Sequence, residues 1–275
     1  MKNFSGKVAA ITGAGSGMGR ALANSLASQG CNLALSDINE DMLEATASGI
    51  KQKAIKVTTH RLDVSNREQM EKFAEDTVNS HGKVNMIFNN AGVSVSDTAE
   101  HMSYENLEWL MNINFWGVVY GTKSFLPFLQ KVDEAQIINT SSIFGTIALP
   151  SQSAYNASKF AVRGYTYALR QELAETHIGV TCVQPGGVKT NIVNSSRYIP
   201  KDNNAETKEE ISVKFDSLAG LTSEQAAEQI LRGVKKNKAQ ILVGKDARVI
   251  SWIERIAPVG YQWILSKVFK EEEFS

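Results

Sequence analysis

The sequence has few cysteines and no excess of charge of either sign. Only Cys31 and Cys182 occur among 275 residues, and both fall in apolar runs. Two thiols cannot form a disulfide framework, so we expect buried free thiols and a reducing compartment, the cytoplasm. Lys plus Arg and Asp plus Glu number 29 each. This balance argues against a nucleic-acid partner, which would need a basic surface.

Long hydrophobic runs and metal-ligand spacings are also lacking. The first apolar run, Val8–Ile11, is too short for the core of a signal peptide, and the uncharged run near the C-terminus is too short to span a bilayer. The spacing of the histidines predicts no metal site. Apolar residues make up 43% and charged residues 21% of the chain, close to the averages of globular proteins. We therefore expect a folded domain with a sizeable core.

A glycine-rich turn follows the first β-branched run, Lys7–Thr12. The turn reads Gly13-Ala-Gly-Ser-Gly-Met-Gly19, and a helical pattern follows it as far as Gly30. Glycines let a backbone approach a pyrophosphate closely, and a helix N-terminus offers free N–H groups to it. Strand, glycine turn and helix in this order indicate the opening of a dinucleotide-binding fold.

Three further short apolar runs alternate with helical patterns, which predicts a parallel, doubly wound α/β sheet with helices on both faces. These runs are Asn32–Ser36, Ile55–Leu62 and Val84–Phe88. Ligands of such sheets bind beyond the carboxyl ends of the strands. The residues expected at those ends are Gly13, Asp37, Asp63 and Asn89.

Asp37 has two compatible interpretations. Its carboxylate is placed to accept the ribose hydroxyls of an adenosine and to repel a 2′-phosphate, and neither Ile38 nor Asn39 is basic. Alternatively, it caps the helix expected over residues 39–50.

The segment Tyr104–Lys131 reads as one long helix with Asn114 in its middle. Asn is unfavourable inside helices because its side chain competes for backbone groups. Asn114 therefore marks either a kink with a water site or an ordinary surface position.

Tyr155 and Lys159 stand four residues apart in a helical pattern that begins at Ser153. Four residues make about one turn, so both side chains share a face. We expect the ammonium of Lys159 to lower the pKa of the Tyr155 phenol, which would make it a proton donor and acceptor near neutral pH. Alone the pair is weak, because this spacing also occurs on exposed helices.

Six motifs in order resemble those of the short-chain dehydrogenase/reductase family of NAD(P)-dependent oxidoreductases, over about residues 5–245. They are Thr12-Gly-x-x-x-Gly17-x-Gly19, Asn89-Asn-Ala-Gly92, Asn114, Ser142, Tyr155-x-x-x-Lys159 and Pro185-Gly-x-Val-x-Thr190. The resemblance implies a Rossmann-type fold and hydride transfer between a nicotinamide and an alcohol or ketone carbon.

The resemblance also implies roles for individual residues. Tyr155 would be the general acid and base, Ser142 would polarise the reactive oxygen, Lys159 would hold the nicotinamide ribose, and Asn114 would hold a water. NAD is expected rather than NADP, and Val188 and Thr190 would receive the nicotinamide carboxamide. The implied cofactor-binding residues are Gly13, Ser16, Gly17, Met18, Gly19, Asp37, Asp63, Val64, Asn90, Gly92, Tyr155, Lys159, Pro185, Val188 and Thr190.

Beyond the motifs, residues 191–221 read as a mobile substrate flap and residues 246–275 as an amphipathic extension after the 1–245 domain. The extension packs on its own domain or a partner subunit, or it contacts a membrane surface. Apolar side chains near the reactive residues predict an apolar substrate. Those assigned to it are Phe144, Leu149, Ile192 and Val193.

Two further expectations concern assembly and class. The helices expected at Tyr104–Lys131 and Ser153–Thr176 carry more apolar residues than one core-facing stripe needs, which predicts a homodimer or homotetramer. The leading hypothesis is an NAD-dependent alcohol dehydrogenase or ketone reductase. The alternatives are an NADP-dependent carbonyl reductase and a non-catalytic nucleotide-binding regulator, which would need only the glycine turn and Asp37.

Overall fold

The computed structural model describes residues 1–52, 54–192, 195–198, 207, 210, 213 and 219–263. Within these ranges the strands are β1 (Val8–Thr12), β2 (Asn32–Asp37), β3 (Val57–Arg61), β4 (Met86–Asn89), β5 (Val95–Ser96), β6 (Ala135–Thr140), β7 (Ile178–Pro185), β8 (Arg197–Tyr198) and β9 (Gln240–Val243). The α-helices are α1 (Gly17–Ser28), α2 (Glu40–Gly49), α3 (Arg67–His81), α4 (Tyr104–Met111), α5 (Gly117–Leu129), α6 (Ser153–Glu172), α7 (Ser223–Lys235) and α8 (Lys245–Ile256).

Seven strands form one parallel sheet in the order β3-β2-β1-β4-β6-β7-β9. The strand order reverses between β1 and β4, and ligands of such sheets bind outside the carboxyl ends at this point. Leu22 of α1 and Ile230 of α7 pack in one core cluster, and Phe73 of α3 and Phe125 of α5 pack in another. The predicted Rossmann-type, doubly wound fold is confirmed.

The expected single helix Tyr104–Lys131 is wrong in its middle. A π-helical turn, Asn112–Trp116, separates α4 from α5, and the Gly117 N–H donates to the Asn112 carbonyl. One π turn inserts an extra residue into the helix and re-aims the side chains beside it. The turn buries Asn114 completely, which excludes the surface alternative for that residue.

A small parallel pair, β5 with β8, lies apart from the main sheet and joins Val95 to Arg197. The rest of the expected flap lies largely outside the described residues. Cys31 and Cys182 are free and buried, as predicted. Burial raises the pKa of each thiol to about 12, so neither is reactive at neutral pH. Among the described helices, none has the length and apolarity needed to cross a membrane.

Candidate active site

Three glycines of the turn after β1 lie at positions where a side chain would be strained or would clash. Gly13 and Gly17 have φ of +65° and +49°, the left-handed region that favours glycine. A Cβ on Gly13 would lie 2.8 Å from the Cα of Ala91, and one on Gly19 would overlap the Gly13 carbonyl oxygen. The backbone itself therefore lines the space above the turn.

The N-terminus of α1 is left open for a ligand. Its N-cap residue, Ser16, makes no side-chain capping bond, so the first N–H groups of α1 receive no oxygen from a cap. Four other helices carry capping side chains, namely Asn39, Asn66, Ser103 and Thr222. An uncapped helix start behind a glycine turn is the donor set that a pyrophosphate needs. These residues fit the phosphates of a dinucleotide.

Asp37 ends β2 beside this turn. Its Oδ2 accepts from the Gly15 N–H at 2.8 Å and its Oδ1 from the Asn39 N–H at 3.0 Å. The cap of α2 is Asn39, which accepts from the Met42 N–H, so the alternative that Asp37 caps this helix is wrong. The carboxylate is fixed against the glycine turn, with lone pairs left for further donors.

Arg20 places a positive charge near Asp37, although the residues next to Asp37 in the sequence are not basic. Its Nε donates to the Thr46 hydroxyl at 2.9 Å, and one Nη donates to the carbonyls of Gly15 and Met42. The guanidinium therefore ties α1 to α2 beneath the turn. Because those donors are bonded to protein atoms, they are not directed at a ribose phosphate.

The loop after β4 braces the glycine turn from the other side. The Asn90 side chain donates to the carbonyls of Thr12 at 3.1 Å and Gly13 at 3.4 Å, and the Thr12 hydroxyl accepts from the N–H groups of Asn90 and Ala91. The observed role of the Asn90 amide is thus to hold the turn. Its contact with a ribose stays a prediction.

The other expected cofactor residues also meet at this edge. Asp63 accepts from the Ser65 N–H and hydroxyl, and Val64 packs against Gly117 at the start of α5. In the turn after β7, Val188 is buried and forms a bridge with Leu221. A Cβ on Gly17 would lie 3.2 Å from the Cβ of Thr190, so this turn reaches the phosphate end of the site. Pro185, which precedes that turn, is the last residue of β7.

Ser142 and Tyr155 are brought together from the end of β6 and the first turn of α6. The Ser142 hydroxyl lies close enough to the Tyr155 phenol to lower its pKa, and the Ser142 Oγ accepts from the Phe144 N–H at 3.1 Å. The Phe144 ring stands edge-on to the Tyr155 ring, with centroids 6.1 Å apart. The two hydroxyls are therefore placed to bind one substrate oxygen together.

Lys159 lies one turn further along α6, as the spacing predicts. Its Nζ is 5.5 Å from the Tyr155 ring centroid and donates to the Thr140 carbonyl at 3.2 Å. The side chain is buried, and burial lowers the pKa of Lys159 from 10.5 to about 8. No carboxylate neutralises the ammonium among the contacts found for it in the described part of the chain.

The expected direction of the Tyr155 pKa shift is wrong for the protein on its own. Burial raises the pKa of Tyr155 to about 12, and the hydrogen bond with Ser142 offsets only part of this rise. Desolvation outweighs the neighbouring ammonium because the phenolate would have to form away from water.

Asn114 reaches the same space from the π turn. Its Nδ2 donates to the Val93 carbonyl at 2.9 Å and the Ser158 hydroxyl at 3.1 Å, and its Oδ1 accepts from the Val93 N–H at 2.9 Å. A Cβ on Gly92 would lie 3.2 Å from Asn114 Oδ1 and 3.3 Å from Lys159 Nζ. Both polar atoms therefore lie beside Gly92, and the water expected at Asn114 stays a prediction.

Asn156 is a site residue that sequence reasoning missed, although it stands next to Tyr155. Its Nδ2 donates to the carbonyls of Phe144 at 2.8 Å and Ile147 at 2.9 Å, and its Oδ1 accepts from the Leu149 N–H at 3.2 Å. We call residues 143–152 the substrate loop. Only its position within the motif could have singled out Asn156, because the contacts are formed by folding.

Apolar side chains surround the reactive hydroxyls. Of the residues predicted to contact the substrate, Phe144 and Ile192 pack in one cluster with Tyr155, Val95 and Leu110, and their contact with a substrate stays a prediction. Leu149 instead packs with Tyr261, so it lies in the outer wall and not beside the phenol. Val193 lies outside the described residues. Met102, Leu107 and Trp109 also join the first cluster, which no local sequence pattern indicated.

Known proteins resemble this chain over most of its length. The sequence model of the short chain dehydrogenases matches residues 7–199. The oxidoreductase SadH of Mycobacterium tuberculosis is 41% identical over 269 residues, which cover 97% of this chain and 96% of SadH. A CLA biosynthesis dehydrogenase/reductase of Lactiplantibacillus plantarum is 30% identical, with coverage of 86% and 82%.

Solved structures resemble the fold just as closely. A short-chain dehydrogenase/reductase from Burkholderia phymatum, in complex with NAD, superposes with a TM-score of 0.83 at 32% identity, covering 94% of this chain and 96% of that one. Levodione reductase gives 0.79 at 26%, with coverage of 90% and 99%. With the glycine turn and the Ser142–Tyr155–Lys159 group at one sheet edge, these matches show that the chain belongs to the short-chain dehydrogenase/reductase family of oxidoreductases.

Proposed function

We propose that the protein is an NAD-dependent oxidoreductase that interconverts a secondary alcohol and a ketone on an apolar substrate. The observation that carries this proposal is the meeting of the Ser142 and Tyr155 hydroxyls beside buried Lys159, at the sheet edge that bears the glycine turn. A regulator that only binds a nucleotide would not need this group. The buried free thiols support a cytoplasmic location.

Bound NAD would accept or donate the hydride at the substrate carbon, and the chain would handle the proton. In the oxidation direction Tyr155 accepts the hydroxyl proton while Ser142 holds the oxygen in place. In the reduction direction Tyr155 donates its proton to the carbonyl oxygen. Lys159 supplies positive charge next to the phenol, which favours its deprotonated form during the reaction.

Asp37 supports NAD over NADP. A 2′-phosphate would lie against its fixed carboxylate, and the Nε and one Nη group of Arg20 are already bonded to the protein. Repulsion between like charges at close range costs several kcal/mol, which weakens binding on the order of 100-fold. We expect kcat/KM to favour NAD(H) to about that extent, and Asp37→Ala to narrow the gap. Equal use of both cofactors by the wild type would refute the preference.

The apolar cluster around Tyr155 supports a bulky apolar substrate. Each buried CH₂ contributes about 0.8 kcal/mol, so four added carbons would raise kcat/KM by roughly two orders of magnitude. The test is a homologous series of secondary alcohols and ketones with NAD(H) and NADP(H), followed by absorbance of the reduced nicotinamide. A flat or falling dependence on chain length contradicts an apolar pocket. No turnover of any alcohol or ketone contradicts the proposed function itself.

A further inference from the structure

The segment after the last strand contacts both halves of the candidate site. Helix α8 starts at Lys245, directly after β9, and a turn leads from its end to Tyr261. One polar contact of this segment goes to the turn after β7, and another goes to the substrate loop. We call residues 244–263 the C-terminal brace.

On the cofactor side, the contact is made by Asp246 in the first turn of α8. Its Oδ2 accepts from the Gly187 N–H at 2.6 Å. A Cβ on Gly186 or on Gly244 would overlap the Asp246 carboxylate, so the two glycines leave the room that it fills. Gly244 also has a φ of +105°, which makes the sharp entry into α8 possible.

The same turn is tied on its opposite side. The Lys189 N–H donates to the Leu221 carbonyl at 2.9 Å, and the Ser223 hydroxyl donates to the Lys189 carbonyl at 2.7 Å. The turn expected to receive the nicotinamide carboxamide is therefore clamped between the start of α7 and Asp246. Without Asp246, one side of this clamp is lost.

On the substrate side, the contact is made by Tyr261. Its hydroxyl accepts from the Ala148 N–H at 3.0 Å, and its ring is buried against Ile147. Ile250 and Ile253 of α8 pack in the same cluster as Phe144 and Leu149. The substrate loop is thus held between Asn156 on its inner side and Tyr261 on its outer side.

We propose that Asp246 and Tyr261 are positioning residues, Asp246 for the nicotinamide end of the cofactor and Tyr261 for the substrate. Neither residue needs to touch the reacting atoms. Each fixes a backbone segment whose other face borders the site. This inference rests on the proposed function. It predicts that substitution of Asp246 weakens cofactor binding, whereas substitution of Tyr261 weakens substrate binding.

Binding of NADH, followed by its fluorescence, tests Asp246 without any substrate. We expect Asp246→Ala to weaken NADH about tenfold and Asp246→Asn about threefold, because an amide oxygen still accepts from Gly187 but lacks the charge. Glu224→Gln, which removes an exposed carboxylate from the first turn of α7, is the matched control and should bind NADH as the wild type does. An Asp246→Ala protein whose Tm and NADH affinity equal those of the wild type would overturn the proposed role of Asp246 in cofactor binding. If that variant does not fold, wild-type affinity in Asp246→Asn overturns it.

Tyr261→Phe tests the substrate half, because it removes only the hydroxyl. We expect hydrogen exchange of the Ala148 amide to speed up at least tenfold, and KM for the best ketone to rise about fivefold with NADH affinity unchanged. Tyr104→Phe, at a tyrosine that is 84% exposed, is the control. Unchanged exchange and unchanged KM overturn the role of Tyr261. Should the wild type turn over no alcohol or ketone, the proposed function fails, while NADH binding and amide exchange still decide the two positioning roles.

Discussion

Tyr155 and Lys159 are both buried, and burial opposes the charged form of each. It raises the pKa of the phenol to about 12 and lowers that of the ammonium to about 8. Burying the Lys159 ammonium beside the neutral phenol costs stability, and the ammonium loses its proton more readily than an exposed lysine does. This arrangement suits a proton that has to move in either direction, since small changes in nearby charge can shift the balance.

Tyr155→Phe should abolish turnover and leave cofactor binding intact. The ring keeps its edge-on contact with Phe144, and only the proton-carrying oxygen is lost. Acid–base roles of this kind are worth about 10²-fold or more in rate. Steady-state kinetics and NADH binding check the two parts. A variant that keeps more than about a tenth of the wild-type kcat would show that another group handles the proton.

Lys159→Met should abolish turnover and yet stabilise the protein. At pH 7 the buried ammonium destabilises the fold by on the order of 3 kcal/mol, because its pKa falls from 10.5 to about 8 and one unit is about 1.4 kcal/mol. Met removes the charge at similar length, so we expect a Tm several degrees above wild type at pH 7.

The pH dependence of that Tm difference has a defined sign. Below about pH 8 the folded and unfolded chains both carry the proton on Lys159, and the penalty is complete. Between about pH 8 and 10.5 the folded chain releases the proton while the unfolded chain retains it, so the penalty fades. The advantage of Lys159→Met should therefore shrink over that range, unlike any effect of Lys2→Met at an exposed lysine. A Tm gap that grows with pH contradicts this account.

The π turn between α4 and α5 links three parts of the site. Asn114 within it holds Val93, after β4, and Ser158, on α6, through three hydrogen bonds. An unbroken α-helix would not leave the extra residue that lets this side chain point inwards. Through the π turn, the helical segment therefore contacts both the loop after β4 and helix α6.

Asn114→Ala should destabilise the protein by about 2–4 kcal/mol, because it removes the hydrogen bonds to the partly buried Val93 backbone and to the buried Ser158 hydroxyl. Urea unfolding measures the change. Asn112→Ala, at an exposed position of the same turn, should have little effect. A similar loss of stability in both variants would mean that the helix propensity of the segment, and not the Asn114 hydrogen bonds, determines the stability of this turn.

The sequence predicted those elements whose pattern is local. The glycine turn, the strand ends and the Tyr155–Lys159 spacing are read from neighbouring residues, and the sheet they predict is confirmed. Arg20, Asn156 and Asp246 could not be found that way, because their partners lie 26, 12 and 59 residues away. The predicted direction of the Tyr155 pKa shift was wrong for a related reason. The spacing identifies Lys159 as a neighbour, but only the folded structure shows that the phenol is buried.

At the scale of the whole molecule, one face built from the π turn and α6 stays partly apolar. Trp116 is 43% and Phe160 41% exposed, and Trp116 stacks on Tyr120 with ring centroids 5.8 Å apart. Phe125 of α5 is instead buried in the core against Phe73. The face available for a partner therefore includes Trp116 and excludes Phe125.

We expect this face to pair two copies of the chain, giving a homodimer or homotetramer. Aromatic side chains at the centre of an interface carry much of its energy, so Trp116→Glu should shift the protein towards smaller species at micromolar concentration. Light scattering after size exclusion measures the mass. Trp252→Glu, at a tryptophan 68% exposed on α8, serves as the control and should leave the mass unchanged. A monomeric wild type would refute the predicted assembly.

The parallel sheet also sets the order in which a growing chain can fold. Each strand pair requires a crossover, so no hairpin can form early, and folding dominated by such distant pairings is slow. β3, β2, β1 and β4, with the glycine turn, are complete once about a third of the chain has left the ribosome. β9 and the C-terminal brace emerge well after these strands. A nascent chain therefore contains the glycine turn long before Asp246 and Tyr261, so the C-terminal brace can make its contacts only after most of the sheet has been synthesised.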